Sequence, residues 1–387
     1  MKKGKNKTIV RKFVDQVSVF AVKSVFMFFV LFLGMNVLGH LLSFVLDGSG
    51  NLITGDATVA GNAVAVLGNC VDLTKSITWN GKINYKPENT KEGIIIPTYY
   101  INGEVTLCKK EYKLGVIRIE EHNTLLNCNG AIIIPPKDGD ANLYNHGIHL
   151  LKEGIPAVSV NNVKIKNCLV PEGDIILENA NLGKVNNNIV KFLHVYSTKN
   201  TEIKQNKISE GKVYLIESNR VTFSNNLIER TTYQKTYGDL LDTFLLKEST
   251  VSNNLIKVPD EKPMESVDNN FYRGIVISAG NNNLFKNNEL QGFFGDGISL
   301  STSSYKNNII SNTIKNNGVT GISLGKLESS GDNSKLTQVK NIIEGNIICN
   351  SEGLDIDGSG KIKDQVVVRE NTCDKTNVVD ACSKSCA

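Results

Sequence analysis

Outside its first residues, the sequence lacks a basic field. Its 387 residues carry a formal net charge of +4. The first 23 residues hold seven Lys or Arg and one Asp, a balance of +6, which leaves 4 − 6 = −2 for the remainder. A nucleic-acid interface needs a concentrated basic surface, so the sequence gives no electrostatic reason to expect nucleic acid as a partner.

Cysteine is absent from the first 69 residues and then occurs eight times. The cysteines are Cys70, Cys108, Cys128, Cys168, Cys349, Cys373, Cys382 and Cys386. This distribution fits an oxidising compartment and disulfide bonds. In the first part of the chain we expect Cys108 to pair with Cys128.

One long apolar run stands near the start of the chain. It has no charged residue from Ser24 to Leu46, with Asn36 and His40 as polar interruptions that an anchor tolerates, and it extends back to Val17 if the Lys23 side chain reaches the membrane interface. About 20 apolar residues cross a bilayer core, whereas the apolar region of a signal peptide has nearer 7 to 15 residues. We therefore expect an uncleaved signal anchor whose basic end stays in the cytoplasm, with a removed signal peptide as the alternative.

The rest of the chain is organised by an Asn that returns with apolar residues around it. In the phrase from Val221 to Glu229 the pattern is apolar, two residues, Asn, one residue, apolar. The recurring residues are Asn167, Asn188, Asn206, Asn226, Asn254, Asn288, Asn312, Asn346 and Asn371. Their separations of 18 to 34 residues are typical of a solenoid rather than a globular core.

A short β-rich unit of this length cannot bury its apolar face alone, so successive units must stack. The pattern predicts an all-β protein, a parallel β-helix, in which the recurring Asn forms a ladder at one corner. Asn tolerates a left-handed backbone, and its amide can bond to the same Asn one coil away, about 4.8 Å along the axis. A merely polar loop composition would explain neither the phase nor the apolar partners.

The repeats from about Cys70 to Cys373 resemble the right-handed parallel β-helix repeats of the pectin-lyase-like superfamily. The stretch Asn123–Ile132 also resembles the opening coil of its microbial surface and periplasmic members, with Asn127 in place of their Asp and Ala131 in place of their His. The resemblance implies a right-handed β-helix. It does not specify an activity, because one fold hosts many functions.

The sequence thus divides into five segments. We predict a basic cytoplasmic tail over residues 1–16, a transmembrane signal anchor over residues 17–46, a spacer over 47–69, a β-helix over 70–373 and a Cys-containing cap over 374–387. The β-helix would be extracytoplasmic, on a single-pass membrane protein.

The last cysteines indicate a cap on the open end of the solenoid, where unpaired strand edges would otherwise be exposed. We expect Cys382 and Cys386 to fold back onto Cys373 or Cys349. The spacing Cys382-x-x-x-Cys386 has no His nearby, so the sequence predicts no metal site there.

Each ladder Asn follows a second strand whose side chains alternate between the core and the outer face. One predicted outer column contains Ile176, His194, Tyr214, Leu245, Val276, Ser299, Ser323 and Asp355. A second contains Glu178, Tyr196, Ile216, Lys247, Ser278, Ser301, Gly325 and Asp357. Tyr and His suit stacking on sugar rings, and Ser and Asp suit hydrogen bonds to hydroxyl groups. Carbohydrate binding and plain solvent exposure explain these columns equally well.

From these columns we select His194, Tyr196, Tyr214, Ser299, Ser301, Asp355 and Asp357 as ligand-binding candidates. Asp296, Asp355 and Asp357 are also weak catalytic candidates. The resembling hydrolases use clustered Asp residues as acid and base, and the resembling lyases use Asp-bound calcium with an Arg or Lys base.

Several observations weaken the enzymatic interpretation. The Gly-Asp-Gly around Asp296 is ordinary turn chemistry, and the predicted columns contain no Arg. No adjacent double Asp and no His-Gly pair near the columns completes a polygalacturonase-like set. His146 and His149 are better explained as a polar edge than as a site.

We therefore expect a membrane-anchored surface protein that binds carbohydrate or is purely structural. A polysaccharide-cleaving enzyme, either a glycoside hydrolase or a lyase, is the alternative. The expected partners are a polysaccharide or cell-surface glycan and the membrane. No cofactor is expected, with calcium left open.

Overall fold

The computed structural model describes residues 70–75, 78–79, 82–89, 95–113, 115–135, 146–151, 158–230, 238–258, 273–300, 303–325, 340–358 and 366–386. The predicted tail, the anchor over residues 17–46 and the spacer over 47–69 lie outside these residues. Within the described ranges, no helix is long and apolar enough to cross a membrane.

The described chain begins with a short 3-10 helix, Leu73–Lys75, and an antiparallel arrangement of strands. Thr78–Trp79 pairs with Ile83–Asn89, which pairs with Ile95–Ile101. Ile95–Ile101 then pairs in parallel with Val116–Ile119, and the coils that follow stack by parallel pairing. The antiparallel strands therefore precede a stack of parallel coils.

The strands form two large sets and one small pair. The larger set comprises Thr78–Trp79, Ile83–Asn89, Ile95–Ile101, Glu111–Lys113, Val116–Ile119, Ile132–Ile134, His146–Leu150, Leu169–Glu178, Ile189–Tyr196, Lys207–Ser209, Val213–Ile216, Leu227–Glu229, Leu241–Phe244, Leu255–Lys257, Ile275–Ser278, Glu289–Gln291, Ile298–Leu300, Thr313–Lys315, Ile322–Leu324, Ile347–Cys349, Ile356–Asp357, Asn371–Thr372 and Cys382–Lys384. The second comprises Glu104–Thr106, Leu125–Asn127, Lys164–Lys166, Lys184–Asn186, Glu202–Lys204, Thr222–Ser224, Thr250–Ser252, Leu284–Lys286, Asn308–Ile310, Asn341–Glu344 and Val366–Arg369. The pair is Val160–Asn161 with Ala180–Asn181.

One coil shows how the sequence produces this arrangement. It runs through the strands Val213–Ile216, Thr222–Ser224 and Leu227–Glu229, with a bend between each pair. Successive side chains along a strand point to opposite faces, so every second residue points toward the axis of the coil, and these residues are apolar. Phe223 and Ile228 are buried accordingly. Apolar columns from three faces thus fill one continuous core, as the repeat predicts.

The ladder lies at the bend between the second and third strands of this coil. The amide of Asn226 donates from Nδ2 to Oδ1 of Asn254 at 3.0 Å and to the Ile203 carbonyl at 3.2 Å. Its Oδ1 accepts from the backbone N–H and Nδ2 of Asn206, at 2.9 and 3.0 Å. Side-chain bonds of this kind link consecutive members from Asn188 to Asn371.

The predicted ladder is wrong at its first member, Asn167. The pairing of Ile165 with Val185 places Cys168, not Asn167, in the column of Asn188. The backbone N–H of Cys168 donates to Oδ1 of Asn188 at 2.9 Å. The predicted position was one residue too early in the sequence. An apolar residue stands three positions before each ladder residue, and on this coil that residue is Ile165 and not Lys164.

The left-handed backbone was also assigned to the wrong residue. It belongs to the residue before each ladder Asn, for example Asn187 with φ of 58° and Asn225 with φ of 56°. The bend needs a left-handed residue, whereas the buried position needs a side chain that donates and accepts hydrogen bonds. The two requirements therefore fall on neighbouring residues.

A second ladder, which the sequence did not predict, ties the bend that follows the first strand over the coils from Ser249 to Asn341. Ser249 donates its backbone N–H to Oδ1 of Asn283 at 3.0 Å. The amide of Asn283 bonds to that of Asn307 at 2.9 Å, which bonds to that of Asn341 at 3.1 Å. The Asn-rich run before Asn283 was the available signal.

Four disulfides join the eight cysteines. They are Cys70–Cys108, Cys128–Cys168, Cys349–Cys386 and Cys373–Cys382. The tail cysteines fold back as expected, but the predicted Cys108–Cys128 pair is wrong. The pairing of Thr106 with Asn127 puts Leu107, not Cys108, beside Cys128, so the two cysteines are one residue out of register and alternate to different faces.

Candidate functional site

One outward column runs along the face formed by the first strand of each coil. Register pairs its members from coil to coil: Tyr100, Arg118, His149, Ile176, His194, Tyr214, Asp242, Val276, Ser299, Ser323 and Asp357. We call this column the ribbon. It brings together four of the candidates from the sequence, namely His194, Tyr214, Ser299 and Asp357.

The ribbon differs from the predicted outer columns at two points. The strand expected at Phe244–Lys247 is Leu241–Phe244, because Leu241 is fully buried and Phe244 is 42% exposed. Asp242 therefore takes the ribbon position predicted for Leu245. Tyr196 lies in the neighbouring column between Glu178 and Ile216, and Ser301 lies outside the described residues.

Asp355, predicted on the outer face, is buried and structural. Its side chain is 1% exposed, and its Oδ2 accepts the backbone N–H groups of Asp374 and Lys375 at 2.8 and 3.1 Å. The strand begins only at Ile356, and Asp357 takes the ribbon position instead. Asp355 thus anchors the C-terminal cap and is not available to a ligand.

The N-terminal part of the ribbon is aromatic. The imidazole of His194 stacks on the ring of Tyr214, with centroids 5.1 Å apart and planes at 22°. His194 Nε2 lies 3.4 Å from Oδ2 of Asp174, and its Nδ1 lies 3.0 Å from the hydroxyl of Tyr196. Asp174 and Tyr196 thereby fix the plane of the ring on both sides.

Burial, followed by the nearby hydroxyl of Tyr214 and neighbouring carboxylates, raises the pKa of Tyr196. Its hydroxyl therefore stays protonated and can donate to Nδ1 of His194, which leaves Nε2 to carry a proton toward Asp174. The arrangement is a stacked, hydrogen-bonded platform of two flat rings.

On the three coils that follow Tyr214, the residue three positions before each ribbon residue in the sequence is charged, and the sign alternates from coil to coil. Backbone pairing stacks Asp239, Arg273 and Asp296 on consecutive coils. Arg273 binds Asp239 through two parallel bonds, Nε to Oδ1 at 2.7 Å and Nη2 to Oδ2 at 3.0 Å. We call these three residues the charge rung. It places a cation between two acids at the edge of the ribbon.

Asp296 has an unusual environment within the charge rung. Burial raises its pKa from 3.8 to about 6, against the opposing effects of Arg273 and of hydrogen bonds from Thr320 and Ser323. The charge of Asp357 contributes to the rise. A carboxyl group with a pKa near 6 can donate a proton close to neutral pH.

Asp242 joins the charge rung to the aromatic end. It follows Tyr214 on the ribbon, and burial together with the charge of Asp239 raises its pKa, while Lys212 and Arg273 act in the opposite direction. The ribbon therefore passes directly from aromatic rings to partly buried carboxylates.

Gly297, the residue after Asp296, must be glycine for a steric reason that turn chemistry alone did not suggest. A Cβ on Gly297 would lie 2.4 Å from Cγ2 of Ile314 and 2.8 Å from the Gly321 carbonyl oxygen. Only glycine lets the coils approach this closely. The backbone is thereby held where Asp296 can reach Thr320 and Ser323 on the next coil.

The carboxylates do not fit a calcium site. The guanidinium of Arg273 already neutralises Asp239 and stands on the coil between it and Asp296. Elsewhere in the described ranges, atoms of Asp355, Asp374 and Cys386 cluster within 4.8 Å, but Cys386 is in a disulfide and backbone N–H groups bind Asp355.

Sequence reasoning missed several residues of this face, namely Arg118, Asp174, Asp239, Asp242 and Arg273, and it interpreted His149 as a polar edge. Arg118, His149 and Asp242 lie on the ribbon itself. Arg118 and His149 belong to coils before Ile176, where the predicted columns begin, so the ribbon is longer than the sequence predicted. Arg273 stands before its strand, and 34 residues separate it from Asp239, so only coil stacking reveals the charge rung.

Residues 192–373 match the model of the right-handed β-helix region. In structure the chain is similar to a double mutant of the periplasmic alginate epimerase AlgG, with 12% identity, a TM-score of 0.43, and coverage of 80% of this chain and 84% of that chain. It is also similar to ORF18 of Geobacillus virus E2, with 14% identity, a TM-score of 0.37, and coverage of 76% and 56%.

A third similar structure is DFA-IIIase from Arthrobacter chlorophenolicus A6, with 10% identity, a TM-score of 0.34, and coverage of 73% of this chain and 86% of that chain. No curated protein sequence matches the chain. The stacked parallel coils and the matched β-helix region lead to one conclusion: the chain is a parallel β-helix repeat protein.

Proposed function

We propose that the ribbon binds an extended polysaccharide. The observation that supports this most is the platform of His194 and Tyr214, which presents two stacked rings directly before the carboxylate of Asp242. The two rings cover each other's facing surfaces, so the platform offers a sugar their remaining exposed parts, and the carboxylates and hydroxyls beside it can bind sugar hydroxyls.

The length of the ribbon favours a polymer over a small ligand. Six coil steps separate His194 from Asp357, which is about 29 Å at roughly 4.8 Å per coil. Ser323 places a partly exposed hydroxyl group between these ends, whereas Val276 and Ser299 are only 4% and 8% exposed. A linear glycan could therefore contact rings at one end and polar groups at the other.

A glycan array with the full-length chain in detergent micelles would identify the ligand class, and isothermal titration would then compare variants. We expect Tyr214→Ala to weaken binding by about tenfold, because it removes the ring and hydroxyl of Tyr214 and the stacking partner that supports His194. Tyr305→Ala is the matched control, because Tyr305 is 40% exposed at a different corner. Equal affinities of the two variants, or no glycan bound by the wild type, would overturn the proposal.

A second candidate is cleavage of the bound polysaccharide, and the charge rung favours it. Asp296 could donate a proton to a leaving oxygen, because its pKa of about 6 keeps part of it protonated near neutral pH. Asp242 or Asp357 would then supply the second carboxyl group of the pair.

Assays for reducing sugars and for unsaturated products on pectin-like and alginate-like polymers separate the two candidates. Enzymatic cleavage should be lost in Asp296→Asn and kept in Asp380→Asn, an exposed residue of the cap. If the chain binds a polysaccharide but releases no reducing sugars or unsaturated products, only the binding function remains.

We further propose that the predicted anchor over residues 17–46 holds the ribbon outside the cytoplasmic membrane. The length of the apolar run and the basic residues before it support this. Protease added to intact cells should degrade the region beyond Leu46, while carbonate washing leaves the full-length chain in membranes. A soluble mature form beginning near Gly61 would show cleavage instead.

A further inference from the structure

A second polar surface lies at the corner that each coil turns after its ribbon strand. Isolated parallel bridges align Asn181, Lys199, Asn219, Lys247, Asn281 and Tyr305 there, one residue from each coil. Around the middle of this column is an open pocket with a volume of about 600 Å³. It is separate from the ribbon and belongs to none of the functions considered above.

The pocket is basic. Lys199, Arg220 and Lys247 line it, and Glu217 is the one acidic residue in its lining. Glu248 already holds Arg220, with Nε to Oε2 at 2.9 Å. Lys199 and Lys247 are exposed, and neither forms an ion pair with any residue in the ranges that the structure describes. Two cations are therefore available to a ligand.

The spacing of these cations restricts the ligand. Lys199 and Lys247 stand one coil to either side of Asn219, so their backbones are about 10 Å apart. Two acidic groups on alternate sugars of one chain can span that distance and contact both lysines at once. The side chain of Asn219 between them can bond to hydroxyl groups, and Leu245 adds an apolar wall.

We propose that this pocket binds an acidic oligosaccharide segment, with carboxylate or sulfate groups that contact Lys199 and Lys247. The proposal does not rest on the function of the ribbon. It needs only the pocket, the two cations and the amide between them.

Isothermal titration of the full-length chain in detergent micelles tests the proposal with three hexasaccharide probes. A hyaluronan hexasaccharide carries carboxylates on alternate sugars, a chondroitin sulfate hexasaccharide adds sulfates, and cellohexaose is neutral. We expect binding of at least one acidic probe that weakens with rising salt, and no comparable binding of cellohexaose at this pocket. Comparison of the affinities for the two acidic probes distinguishes recognition of carboxylate groups from recognition of sulfate groups.

The variant Lys199→Gln with Lys247→Gln should weaken the acidic probe about tenfold, because both charge-assisted contacts are lost. The matched control is Lys164→Gln with Lys184→Gln, which removes the same charge from exposed residues on adjacent coils of another face. It should change the affinity less than about twofold.

If both double variants lost affinity for the acidic probe equally, the cause would be the overall charge of the protein, and the proposal for the pocket would be overturned. Absence of binding by both acidic probes, or binding of cellohexaose that Lys199→Gln with Lys247→Gln weakens to the same degree, would overturn it as well. Tyr214→Ala should leave acidic-probe binding at the pocket unchanged, so failure of the ribbon proposal and failure of this one give different results. Thermal melting should be unaffected because both lysines are exposed.

Discussion

The ladder corner and the ribbon are built by the same coils but differ in one respect. At the ladder the same residue returns on each coil from Asn188 to Asn371, and each copy bonds to the next. On the ribbon the residue changes from coil to coil, from His194 through Tyr214 to Asp242. Repetition supplies stability at the ladder, whereas variation on the ribbon creates a surface with distinct chemistry along its length.

The largest expected effect is at the ladder. Asn226→Asp keeps the shape of the side chain but removes the Nδ2 donor and buries a carboxylate against the Asn254 oxygen. We expect a loss of about 3 kcal/mol or more in the free energy of unfolding, measured by urea denaturation. Asn225→Asp makes the same chemical change at an exposed, left-handed neighbour and should cost less than about 0.5 kcal/mol. Similar losses for both would contradict the corner assignment.

The next effect is at the point where the ladder stops. Cys168 occupies the ladder position before Asn188 and is bonded to Cys128 across 40 residues. Replacing both cysteines by Ala should cost about 2 to 4 kcal/mol.

Replacing Cys168 by Asn, with Cys128→Ala, should lose less than the double Ala variant, because the new amide can donate to Asn188 Oδ1. Denaturation of the two variants side by side measures the difference. A Cys168→Asn variant that is no more stable than the Ala variant would mean that the ladder cannot be extended by one coil.

A smaller effect is expected where the ribbon meets the charge rung. The pKa of Asp296 is raised from 3.8 to about 6, so the folded state holds this proton more tightly than the unfolded chain does. The stabilisation is complete below pH 4 and is lost as the pH rises through about 6.

Between pH 4 and pH 7 the wild type should therefore lose about 1 to 3 kcal/mol relative to Asp296→Asn. Melting temperatures across this range give the measurement, with the exposed Asp380→Asn as control. A constant difference between wild type and Asp296→Asn at all pH values would show that Asp296 does not titrate there.

The ladder could be predicted from the sequence because repetition makes the phase visible, and a single interruption at Lys164 even marked the one misassigned coil. The ribbon could be predicted only in part. Its identity depends on where each strand begins, and the segments before Leu241 and Ile356 vary in length, so Leu245 and Asp355 were placed on the wrong face. The contact of Asp239 with Arg273 exists only because two coils stack across 34 residues. Local patterns carry no record of such a contact.

The smallest effect sharpens the same comparison within the ribbon itself. Ser299 and Ser323 occupy the same column on adjacent coils, yet the side chain of Ser323 bonds to Asp296. That bond favours the ionised carboxylate, so Ser323→Ala should raise the pKa of Asp296 further. The pH midpoint of the melting-temperature change should move upward in Ser323→Ala and stay in place in Ser299→Ala. Different midpoints for these neighbouring serines would establish that position along the ribbon, and not residue type, determines the effect on Asp296. Equal midpoints in the two variants would show that Ser323 does not affect the pKa of Asp296.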